Sequence, residues 1–129
     1  MITAYLVGVP AYHESDGIEI RYCIYDDQEL IQKKSVYKDY KKPLTVNLNA
    51  LTTLLKELEP FRDQDIVIMM NDSALKEQIK GTTTTTNKEV LKASEFARAS
   101  LRRFGDSVVI KDVSKDRAEL LKWDEILKP

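Results

Sequence analysis

Residues 66–81 read IVIMMNDSALKEQIKG, and the reading of this stretch decides the fold. Five apolar residues run without a break from Ile66 to Met70. A strand with one face in water would alternate, so the run describes a strand covered on both faces. Asn71, Asp72 and Ser73 then turn the chain, residues 73–80 carry the apolar spacing of a short helix, and Gly81 ends it. Glycine serves there because it lacks the Cβ that opposes a left-handed backbone. Strand, acidic turn and helix in succession predict one unit of an α/β sheet, with Asp72 at the carboxyl end of the strand. Two roles are open to Asp72: a metal ligand, or an N-cap that stabilises the helix by about 1 kcal/mol.

Downstream, residues 82–86 are five threonines, with poor helix propensity and nothing to bury, and read as a solvated loop. Asn87 suits the cap of a helix whose apolar face is Val90, Ala93, Ala97, Leu101 and Phe104, with Gly105 at its end. Residues 108–113 read as a fifth strand. Residues 116–127 read as an amphipathic helix with Leu120, Trp123 and Leu127 on one stripe, Trp123 being a packing anchor.

Upstream, Leu44, Leu48, Leu51, Leu55 and Leu58 recur on one helical face between Pro43 and Pro60. Residues 2–10 are apolar on both parities, which describes another strand covered on both faces. Asp16-Gly17 is a turn signal, and residues 18–25 alternate as a half-buried strand. Residues 29–38 are a weaker strand whose Lys33 and Lys34 suit a sheet edge, where lysines discourage pairing with other molecules. The order β-β-β-α-β-α-α-β-α predicts an α/β architecture over one domain, residues 1–129. Its sheet has five strands, a three-stranded antiparallel meander plus two parallel strands, with helices on both faces. The first and fourth strands, apolar on both faces, should be neighbours at its centre.

Composition narrows the function classes. With 20 basic and 21 acidic residues the net charge is −1, which permits nucleic-acid binding without the basic excess that argues for it. The clusters Lys33, Lys34, Lys38, Lys41, Lys42 and Arg98, Arg102, Arg103 read as solvated faces. No apolar run approaches the roughly 18 residues of a membrane span, and the first residues lack a basic leader. The single Cys23 allows no internal disulfide and suits a reducing cytoplasm. It sits in a strand and reads as a core residue, not a nucleophile. Any Ser-His or Cys-His machinery would depend on His13, the only histidine, which falls in a polar stretch.

The chain resembles a ribonuclease H domain over nearly its whole length. Residues 67–81 carry the resemblance most specifically: the strand, Asp72-Ser73, an apolar helix face and Gln78-Ile79-x-Gly81. Thr45-Val46-Asn47-Leu48-Asn49-Ala50-Leu51 is similar to that family's Thr-Asn-Asn-x-Ala-Glu-Tyr helix start. Tyr5-Leu6-Val7-Gly8 is similar to its first-strand Tyr-x-Asp-Gly, and Ala118-Glu119-Leu120-Leu121 to its closing Ala-Asp-x-Leu. The resemblance implies cleavage of the RNA strand of an RNA–DNA hybrid by two Mg²⁺ or Mn²⁺ ions held by four carboxylates. Two cations about 4 Å apart need several anionic oxygens, one of them bridging. Carried over position by position, Asp72 fills the fourth-strand place and Glu119 the last-helix place. The first-strand place falls on Val7 and the first-helix place on Ala50, and neither can ligate a metal. Reading Asp16-Gly17 as the family's Asp-Gly fails, because the residues before it do not describe a central strand.

The resemblance therefore implies a non-catalytic ribonuclease H-like domain that binds a nucleic acid or a protein partner, with Asp72 mainly capping its helix. One alternative is an active nuclease with a rearranged site of Asp72, Glu119 and an acid from the Glu14–Asp16 loop or Asp112. Another is an unrelated α/β interaction module.

Overall fold

The structure, a computed structural model, describes residues 1–10, 13, 15–81 and 85–129. Strands β1 (Ile2–Val9), β2 (Ile18–Asp26) and β3 (Glu29–Lys38) form an antiparallel meander. Helix α1 (Val46–Leu58) leads into β4 (Ile66–Met70), followed by α2 (Leu75–Lys80) and α3 (Lys88–Arg102). Strand β5 (Val108–Asp112) and helix α4 (Arg117–Ile126) come last. β4 pairs in parallel with β1, and β5 in parallel with β4, so the sheet order is β3-β2-β1-β4-β5. This is the mixed sheet expected from the sequence, with β1 at the centre and β4 beside it.

Strand alternation divides the core in two. Ile2, Ala4 and Leu6 of β1 join Ile66, Ile68 and Met70 of β4 under α1 and α3. Tyr5 and Val7 of β1, Cys23 of β2 and Met69 of β4 turn to the opposite face, where α4 lays Trp123 and Leu127 on them. Helices thus cover both faces, which is why β1 and β4 are apolar on both parities. β3 lies at the edge and is mostly exposed, as Lys33 and Lys34 suggested.

Local chemistry sets the element ends. Asn87 caps α3, its side-chain oxygen accepting the Glu89 and Val90 N–H groups. Gly81 ends α2 at φ 74°, in the left-handed region. Two expectations need correcting. Leu44 does not start the helical face: Pro43 opens a 3-10 turn, α1 begins at Val46, and Leu44 is 65% exposed. The second helix begins at Leu75, not residue 73, and its N-cap is Ala74. Tyr12, Glu14 and Thr82, Thr83 and Thr84 lie outside the described residues, and with them the expectations for Glu14 as a site acid and for the threonine loop. Among the described residues no helix is long and apolar enough to cross a membrane.

Candidate functional site

In open α/β sheets, ligands bind in the crevice beyond the carboxyl ends of the strands. Here β1, β4 and β5 all end on one side. The β1–β4 pairing stops at Tyr5 opposite Met69, and the two strands part. The buried Trp123 of α4 enters that fork from below, its indole N–H donating to both Leu6 O and Met69 O at 3.1 Å. These are carbonyls that would otherwise be orphaned where the ladder ends. Trp123 is thus more than the packing anchor foreseen: it ties the last helix to the two central strands.

The start of α1 closes the same end of the sheet from the other face. A Cβ on Gly8 would come within 2.7 Å of Val46 Cγ1 and 3.2 Å of Asn47 Oδ1, so only glycine lets α1 approach β1 this closely. That approach delivers Asn47, whose side-chain N–H donates to Asp72 Oδ2 at 2.9 Å. The other oxygen, Asp72 Oδ1, accepts the Ala74 N–H at 2.9 Å. Asp72 is therefore not the N-cap that was expected. It braces the turn two residues on and receives an amide from α1, because Ala74 has taken the capping position.

Asp112, at the end of β5, completes the polar edge. Its carboxylate accepts the Ser114 N–H at 2.9 Å and the Ser114 hydroxyl at 2.8 Å. Burial alone would raise its pKa. Those hydrogen bonds and the nearby Lys115 outweigh burial and hold it below the usual carboxylate value.

The other candidate positions lie as follows. Val7 is half-buried against the Tyr5 and Trp123 cluster, whereas Ala50 is fully buried in the cluster on the opposite face. Glu119 stands half-exposed in the first turn of α4, where its backbone N–H is capped by Asp116 at 3.2 Å. No hydrogen bond joins Glu119 to Asp72 among the described residues. Nor do the described residues include a group of three or more His, Cys, Asp or Glu placed to hold a metal ion. Cys23 is buried, its thiol held above the usual pKa by burial, as suits a core residue. His13 is exposed. Asn47 was missed as a site residue, because a side chain at a helix start gives no sequence sign of which neighbouring strand it will meet.

No protein-family profile matches the sequence, and no curated protein matches it. Solved structures do. An RNase H1 from the halophilic archaeon Halobacterium salinarum superposes with a TM-score of 0.75 at 18% identity, over 92% of this chain and 89% of that one. LC11-RNase H1, isolated from compost by a metagenomic approach, gives 0.75 at 16% identity, over 98% and 94%. The same enzyme in complex with an RNA/DNA hybrid gives 0.71 at 18%, over 99% and 100%. Identities this low speak to the architecture alone, and that architecture is the ribonuclease H-like fold.

Proposed function

We propose that this chain is a non-catalytic ribonuclease H-like domain, one unit over residues 1–129, that binds a nucleic acid or a protein partner in the cytoplasm. The observation that carries the reading is the chemistry of the positions that the resemblance assigns to the four carboxylates. Val7 and Ala50 carry only hydrocarbon side chains, packed into opposite faces of the fold, and each oxygen of Asp72 is already engaged, one by Ala74 and one by Asn47. A bridged pair of hard divalent cations needs several anionic oxygens around it. Asp72 and Glu119 do not supply them, and the Asn47 amide meets Asp72 with hydrogens where a cation would otherwise sit. The likeness to an enzyme solved with an RNA/DNA hybrid supports a hybrid or related nucleic acid as one partner. The net charge of −1 supports weak, not tight, association with it.

A second reading is a divalent-metal-dependent endoribonuclease acting on RNA–DNA hybrids through a rearranged site of Asp72, Glu119 and Asp112, with Mg²⁺ or Mn²⁺. Asp112 favours it, since β5 pairs it opposite Met70 and so brings a second acid to the end of β4. One assay separates the two: incubation of the protein and an Asp72→Asn variant with a labelled hybrid and Mg²⁺ or Mn²⁺. The non-catalytic reading expects an intact hybrid in every lane. Metal-dependent cleavage that disappears in the variant establishes the second reading instead.

A further inference from the structure

Helices α1 and α3 leave a groove between them on the face away from the sheet, and its charges indicate what fills it. The wider end, about 820 Å³, is lined by the start of α1 and the first half of α3. A second cavity of about 310 Å³ continues it along the later halves of both helices, sharing Thr52 and Phe96. The helices therefore run in the same sense, and the 15 residues of α3 give the groove a length of about 22 Å. Its floor is apolar, from Leu48, Leu55, Ala93 and Phe104. Phe96 stands at the middle with 59% of its surface exposed. A large aromatic left open at the centre of an apolar groove between two helices has the form of a helix-binding surface.

The rim is basic although the chain as a whole is not. Lys41, Lys42, Lys56 and Lys92 line the groove and make no ion pair among the described residues. Arg103 is paired with Glu59 at 2.6 Å. Of the two remaining lining acids, Glu89 lies in the first turn of α3 and Glu95 further along. Lys41 and Lys42 stand beside the start of α1, which has no acidic residue in its first turn, so the positive end of that helix adds to theirs. A second copy of this chain would bring lysine to lysine. A nucleic acid would leave the apolar floor without a counterpart.

We infer that the α1–α3 groove is a docking site for an acidic amphipathic helix of a partner protein, its apolar stripe on Phe96 and its carboxylates toward Lys41, Lys42, Lys56 and Lys92. This gives the binding module proposed above its protein partner. It is independent of the hybrid assay, since cleavage there would overturn the non-catalytic reading and leave the groove as it is.

The test is a displayed library of 18-residue helices with leucine fixed along one stripe and the flanking positions randomised among Glu, Gln and Lys, selected on the full chain. Phe96→Asp and a double variant, Lys41→Glu with Lys42→Glu, serve as comparisons. Phe96 is largely exposed, so its replacement should leave the circular dichroism unchanged. The expected result is enrichment of Glu-rich flanks, with binding weakened at least about tenfold by Phe96→Asp and a shift toward Lys flanks on the double variant. Unbiased or basic flanks on the native chain would overturn the inference, as would clones that bind Phe96→Asp equally well or no enrichment at all. A concentration-dependent dimer abolished by Phe96→Asp would give the groove to a second copy. Displacement of the selected helices by a hybrid duplex would give it to nucleic acid. Either of these also overturns the inference.

Discussion

At the scale of single residues, Asn47 and Asp72 do together what neither suggests alone. The amide crosses from α1 to the end of β4 and supplies hydrogens to a carboxylate. Asn47→Ala removes a hydrogen bond to a charged, half-buried group and should lower unfolding stability by about 1 kcal/mol in urea denaturation. Asn47→Asp puts two carboxylates face to face. That variant should melt below Asn47→Ala in EDTA and recover with Mg²⁺ or Mn²⁺, whereas the native protein should melt at the same temperature with and without either ion. A native melting point raised by Mg²⁺ and lost in Asp72→Asn would show that Asp72 holds a cation despite Asn47. Tyr22 offers a second residue-level test. It is fully buried, and burial, aided by the nearby Glu57 carboxylate, pushes its phenol from 10.0 up to about 12. The folded state thus keeps a proton that the unfolded state has lost. Stability from this group is complete below pH 10 and falls as pH rises from 10 to about 12. Tyr22→Phe should therefore lose less stability than the native protein between pH 10 and about pH 12 in paired urea titrations.

At the scale of elements, the ends of helices were the least legible parts of the chain. Asn87 was readable as a cap because asparagine competes for backbone N–H groups wherever it precedes a helical face. Asn87→Ala leaves the Glu89 and Val90 N–H groups without that partner and should cost about 1 kcal/mol, read from the thermal or urea midpoint. Asp72 invited the same reading and differs, because the turn after β4 takes two more residues before the backbone enters α2, and Ala74 becomes the cap. Leu44 fits the leucine spacing as well as Leu48 does, yet Pro43 starts a 3-10 turn that rotates it into solvent. Periodicity locates a helical face; local backbone geometry decides where the face begins.

At the scale of the molecule, two cores meet at the sheet and Trp123 joins α4 to it. The indole fills the fork between β1 and β4 and satisfies carbonyls from both strands. Trp123→Phe keeps most of the packing and removes both hydrogen bonds, and should cost about 1–3 kcal/mol. Trp123→Ala also leaves a cavity and should cost about 3–5 kcal/mol. Far-ultraviolet circular dichroism in urea checks both, since Trp123 is the only tryptophan and fluorescence is lost with it. An equal cost for the two variants would mean that the hydrogen bonds, not the ring, hold α4 in place.

The meander, the adjacency of β1 and β4 with their two-faced burial, and the edge position of β3 were legible from sequence. Each follows from a period of apolar residues or a placement of lysines, and burial acts on every residue of an element at once. Which side chains converge on the end of the sheet was decided only by the tertiary structure. The meeting of Asn47 with Asp72 and of Trp123 with Leu6 and Met69 joins residues between 25 and 117 positions apart. A directional hydrogen bond depends on the close approach of two backbones, such as that of α1 to Gly8, and no period in the sequence records that distance.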